Sequence, residues 1–208
     1  RKYIAGVLTF DKRMSNRWQL RGSILYSAFK GNADHDYGGA EGETTLYDNP
    51  NSLTNAYGRI RYDRPLNIKV LGTYILPYDI IITAYLNYRS GTPWARTISR
   101  VYFPAGFGAQ TSYVGVAAEP NGTQRNSPET TMDMRVEKSF DFGTMGKLSL
   151  YLDVFNLGGS SDLSVTRNPG GFLYFYETPP RYVLETTYGR INSVTGVRSL
   201  RLGIRWSY

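Results

Sequence analysis

The sequence has no cysteine, which removes disulfides, thiolate nucleophiles and zinc–thiolate sites at once. Histidine occurs once, at His35; no Ser–His–Asp or Cys–His arrangement forms around it, and no glycine-rich phosphate loop follows a strand. Long apolar runs are missing too, and mean hydropathy is −0.38, so the sequence offers no membrane-spanning helix. That absence is silent about strands. A transmembrane strand alternates lipid-facing and lumen-facing residues, and its average hydropathy stays low. No basic stretch, apolar core and cleavage site stand at the N-terminus, which starts at Arg1; the sequence reads as a mature chain or a fragment.

Tyrosine, with 18 residues, and glycine, with 22, are what the chain has in plenty. Tyrosine suits strands and interfaces where a ring is half wet and half apolar. The formal charge of +7 is not gathered into a basic block, so no nucleic-acid partner is expected.

Helical periodicity is nearly absent, whereas period-2 alternation recurs and predicts seven strands. They are 2–10, 17–29, 65–76, 80–91, 130–140, 147–158 and 198–208. In the second, Trp18, Leu20, Gly22, Ile24, Tyr26 and Ala28 oppose Arg17, Gln19, Arg21, Ser23, Leu25 and Ser27. In the sixth, Leu148, Leu150, Leu152 and Val154 oppose Ser149, Tyr151, Asp153 and Phe155. Lys138 breaks the apolar face of the fifth, and the face of the first is ambiguous.

Short and long connections alternate strictly. DKRMSN (11–16), PYD (77–79) and FGTMG (142–146) are turn-like, whereas 30–64, 91–129 and 158–196 are long and rich in Gly, Asn, Pro, Ser and Tyr. Consecutive antiparallel strands then place every short turn at one end and every long loop at the other. Outer-membrane barrels have this asymmetry, with short periplasmic turns and long external loops. Aromatics add to it. Trp18, Phe140, Trp206 and Tyr208, with Phe10 and Tyr78 beside them, lie near the short turns; Tyr26, Phe29, Tyr88 and Phe155 lie near the long loops. The phase leaves open whether Phe10, Phe29 and Phe155 point inward. The expected fold is therefore all-β, an antiparallel up-and-down transmembrane barrel. Seven such strands cannot close, because the first and last would meet parallel. Residues 1–208 are thus expected to be the C-terminal part of a single larger barrel of about 22 strands.

The residues that carry a family resemblance are YGRIRYDRPLNIKVLGTYILP (57–77), LNYRSGTPW (86–94), RNSPETTMDMRVEKSF (125–140), LYLDVFNL (150–157) and LRLGIRWSY (200–208). In this order they resemble the C-terminal third of the barrel of a TonB-dependent outer-membrane receptor, of the Oar-like branch with a carboxypeptidase-regulatory-like extension. Leu66, followed by Asn67, stands where the family commonly has His and then a polar residue, and Tyr208 replaces the commoner terminal Phe. The resemblance spans the strands and not the loops. It implies energised uptake of a siderophore, peptide or glycan in the outer membrane of a Gram-negative bacterium, with extracellular long loops and a periplasmic C-terminus. The implied partners are the lipid bilayer and lipopolysaccharide, the remaining barrel strands, and a plug domain that is not in this sequence. TonB, acting through that plug, and the barrel-assembly machinery complete them. Arg201, Gly203, Trp206 and Tyr208 match the terminal signal that the assembly machinery is understood to read, a free strand edge suited to β-augmentation.

Other candidates are weaker. Asn32, Asp34, Asp36 and Glu43 fall at calcium-loop positions 1, 3, 5 and 12, but Tyr37 occupies the place of the turn glycine; a solvated acidic loop is the better reading, with His35 a surface residue. NGT (121–123) is a glycosylation sequon by pattern alone. No cofactor and no enzyme activity are expected. Arg17, Arg21, Lys69, Arg89, Arg135, Arg201 and Arg205 share the inward phase, with Asp133, Glu137 and Asp153 as expected partners. Tyr37, Tyr47, Tyr57, Tyr102, Tyr113, Tyr174 and Tyr176 stand in the loops, where they could stack on a ligand. A surface-binding or adhesin module and a soluble β-sandwich are the alternative functional readings.

Overall fold

The computed structural model describes residues 1–32, 53–60, 62–102, 113–158, 162–165, 172–174, 177–183, 186–194 and 196–208. Seven long strands dominate it: β1 (Lys2–Ser15), β2 (Trp18–Gly31), β3 (Leu66–Leu76), β4 (Ile80–Arg89), β5 (Glu129–Asp141), β6 (Lys147–Phe155) and β7 (Ser199–Ser207). They form one antiparallel sheet in sequence order, each paired with the next, and the two-residue strand Gly58–Arg59 adds to the loop end of β2. The expected strands all form. β1 runs further than predicted, to Ser15, so the 11–16 connection shrinks to Asn16 and Arg17, both at positive φ (49° and 69°). That pair of left-handed residues is the geometry of a tight hairpin turn. Arg17 therefore sits in the turn and not among the inward-phase arginines of a strand.

Cross-strand register assigns every side chain to a face. One face carries rows such as Leu8, Ile24, Ile68, Tyr88 and Thr130, then Phe10, Gly22, Val70, Leu86 and Met132. Further on come Trp18, Tyr74, Ile82, Val136, Leu152 and Leu202. Register also settles β1: Ile4, Leu8 and Phe10 lie on the apolar face. Phe10 covers Gly22, where an added Cβ would fall 2.3 Å from its ring, so the ring fills the space that glycine leaves. Phe29 and Phe155 lie on the opposite, polar face.

The rows are staggered. The first short turn closes beside Trp18 and Tyr74, the second one same-face row further at Leu76 and Ile80, and the third one row further again at Phe140 and Leu148. Strands sheared in this way tilt across the sheet. The sheet is open: β1 and β7 lie at its two edges and run in the same direction.

The long connections are not irregular throughout. Thr97–Tyr102 pairs with Tyr113–Ala117, and Phe172–Tyr174 joins Thr97–Tyr102 in parallel while pairing with Arg181–Val183. Two of the long loops thus share one four-stranded sheet. Composition did not announce this, because the pairing joins segments far apart in sequence.

Candidate functional site

At the loop end, three separated segments meet around one carboxylate. Asp63 precedes β3, and its side chain has no exposure to solvent. The Phe29 amide donates to Asp63 Oδ1 at 2.7 Å, while Arg59 Nη1 and Arg125 Nη2 donate to Oδ2 at 2.9 and 2.8 Å. Burial alone would push this carboxyl up; the Phe29 amide and the two guanidiniums outweigh it and hold it below its ordinary 3.8. Arg125 also donates from Nη1 to the Asp63 and Gly91 carbonyls, at 2.8 and 2.6 Å. Its neighbour Asn126 ties to Thr92 through backbone (2.9 Å) and side chain (2.7 Å).

Two glycines permit this approach. A Cβ at Gly91 would fall 1.8 Å from the Asn126 carbonyl oxygen, and one at Gly58 would fall 1.9 Å from that of Asn121. Asn121 donates from Nδ2 to the Ala56 carbonyl at 3.0 Å, so the sequon asparagine is part of the rim's own bonding. Two further carboxylates complete the rim. Glu129 takes Arg64 at 3.0 Å and Arg89. Glu119 takes the Arg96 amide and guanidinium at 2.8–2.9 Å, and the Arg96 side chain chiefly holds it below its ordinary 4.5.

The polar face is cross-linked along its rows. Gln19, Thr73 and Thr83 are joined by 3.2 Å hydrogen bonds, and Arg135, Asp153 and Arg201 continue the same row as a carboxylate between two guanidiniums. Arg135 bonds Asp153 through two nitrogens, at 2.6 and 3.0 Å. Arg205 pairs with Glu137 at 2.6 Å, and Arg21 with Asp11 at 2.8 Å. Of the expected inward acids, Glu137 and Asp153 take arginines. Asp133 does not; its Oδ1 accepts the Asn156 amide at 2.8 Å, at the exit of β6. A shallow depression of about 170 Å³ lies over this face, lined by Tyr85, Arg135, Asp153, Phe155 and Arg201 among others.

The predicted site residues are dispersed. Arg201 joins the Asp153 cluster, and Gly203 lies beneath the Tyr151 ring, whose carbons would come within 2.1 Å of an added Cβ. Trp206 stacks on Phe142 at the short-turn end, with ring centroids 5.8 Å apart. Tyr208 ends the chain fully exposed. Asp34, Asp36 and Glu43 of the calcium candidate, with His35, lie outside the described residues, as do Tyr37, Tyr47 and Tyr176; Asn32 closes the end of β2. Among the described residues, no cluster of three or more His, Asp or Glu side chains could hold a metal. Tyr57 is exposed, and Arg181 lies over the Tyr174 ring at 4.5 Å.

Sequence reasoning quoted the segments that hold Asp63 and Arg125 but assigned neither a role. The available signal was an aspartate set between two arginines just before a proline, in RYDRP. Comparison of the chain with family models, with curated proteins and with solved structures finds no match.

Proposed function

We propose that this chain is a wall segment of an outer-membrane β-barrel receptor. Its apolar face meets lipid, its polar face lines the lumen, and its long loops face outward. The observation that carries the reading is a single-layer sheet with one apolar face that no described element covers. Among the described residues the buried hydrophobics are Ala56, Ile60, Ala95 and Val154, and only Val154 belongs to a long strand. A β-sandwich would bury that face against a second sheet. Here Leu202 is 82% exposed, in a row of apolar neighbours. Leaving such a face in water is unfavourable by about 25 cal/mol per Å² of apolar surface.

The stagger of the rows fits tilted barrel strands, and parallel edge strands fit closure through an odd number of further strands. By the family resemblance, the complete barrel would encircle a plug and take up a siderophore, peptide or glycan with energy delivered through TonB. The shared loop sheet favours a second reading, a folded outer surface that binds a partner without import.

Refolding the complete receptor that contains these strands into detergent micelles tests the membrane assignment: the folded form is expected to migrate differently on a gel before and after boiling. A soluble monomer in plain buffer would refute it. Uptake and binding separate in cells lacking the protein. Loss of energy-dependent accumulation of one nutrient supports import, and loss of surface attachment alone supports the binding reading.

A further inference from the structure

Lys2 and Lys30 stand directly opposite each other across β1 and β2, at the loop end of the apolar face. Like charges in directly opposed positions destabilise a sheet. Both are exposed, and neither ammonium has a carboxylate or carbonyl partner among the described residues. The next residue across, Arg59, faces Lys30 in register, but its guanidinium is committed to Asp63, which Arg125 also neutralises. Among the described residues, no acid at this corner is left over for the lysines.

The same face ends differently at the short turns. Lys12 donates to Ser15 Oγ, the Ser15 carbonyl and the Trp18 carbonyl at 2.8–3.1 Å and lies 3.8 Å over the Trp18 ring. Lys138 donates to the Tyr78 carbonyl. On this face Lys12 and Lys138 are thus satisfied internally, whereas Lys2 and Lys30 have no such partner among the described residues.

Between the two rims, Ile4, Gly6, Leu8 and Phe10 separate Lys2 from Lys12 on one strand. Ten residues at about 3.4 Å each, tilted by about 40°, span about 26 Å, close to the apolar height of an outer-membrane barrel. The paired ammoniums therefore fall at headgroup level in the leaflet on the loop side. Ile4, Ala28 and Tyr26 lie directly below, where acyl chains would run.

We infer that Lys2 and Lys30 form a binding site for the phosphorylated sugar headgroup of a lipid A-type glycolipid, its acyl chains lying against Ile4, Ala28 and Tyr26. This rests on the membrane reading above. A phosphate between the two ammoniums turns their repulsion into two charge-assisted hydrogen bonds.

The test is native mass spectrometry of the complete receptor that contains these strands, folded in micelles and offered bisphosphorylated lipid A, the same lipid with its phosphates removed, and phosphatidylcholine. Bisphosphorylated lipid A is expected to be retained about thirty-fold better than its dephosphorylated form, from two basic residues at a charged surface. The Lys2→Gln/Lys30→Gln variant, and in part Lys30→Gln alone, should lose that preference, whereas Lys12→Gln should keep it. The double variant should be at least as stable as the parent in zwitterionic detergent, because a repulsion is removed. Equal retention of the two lipid A forms, an undiminished preference in the double variant, or displacement of the lipid by millimolar inorganic phosphate would overturn the site. Failure to take up any of the three lipids, with the receptor soluble in buffer, overturns the membrane reading and the site with it.

Discussion

Replacing Asp63 by Asn keeps the shape of the side chain and removes its charge. Arg59 and Arg125 would then face each other across a neutral amide, and one amide group would be a donor turned toward donors. Breaking a buried ion pair by removing one partner costs about 3–5 kcal/mol. Arg59 and Arg125 are 37% and 28% exposed, so water screens part of the loss. About 2–4 kcal/mol is the reasonable figure. That loss falls on the rim and not on the sheet, since the short-turn hairpins share none of these bonds. Amide hydrogen exchange reads it residue by residue. The Arg59 and Asn121 amides, bonded to the Asn121 and Asn55 carbonyls, should lose protection together with Ile60, bonded to the Phe29 carbonyl. The acceleration should be about 30- to 800-fold. Amides of β6 should exchange as before. An acceleration below about three-fold at the rim, or an equal one across the whole sheet, would refute the argument.

Acid should loosen the same region. Asp63 and Glu119 both have folded-state values below their ordinary 3.8 and 4.5, so each stabilises the rim above its unfolded value and loses that contribution as pH falls through the lowered one. Rim protection should therefore hold from neutrality to about pH 5 and fall below about pH 4, and protection that rises on acidification would contradict the sign. Gly203→Ala should destabilise the β6–β7 pair by about 1–3 kcal/mol, because the new methyl meets the Tyr151 ring. Adding Tyr151→Ala should restore much of that loss in urea titrations of the detergent-folded chain, and additive losses would show that the ring is not the obstacle.

Period-2 alternation and the lengths of the connections were enough to order seven strands, their hairpins and the two ends of the sheet. These are local properties: a side chain's face follows from its parity, and a three-residue link can only join neighbours. Parity alone left β1 ambiguous, since both of its phases hold apolar residues, and pairing with β2 resolved it. Arg17 shows the opposite error, an in-phase residue that the turn removes from the strand.

Tertiary structure decided what each charged group meets. Asp63 and Arg125 are 62 positions apart, and nothing in their flanking residues names the other. Register brought Asp153 between Arg135 and Arg201, whereas Asp133, of equal parity, was drawn to the Asn156 amide instead. Likewise Lys2 and Lys30 are ordinary strand-end lysines in the sequence, and only antiparallel pairing sets one against the other. Face follows from a period of two residues, while partnership depends on register and loop return, which are settled over tens of residues by packing and hydrogen bonding together.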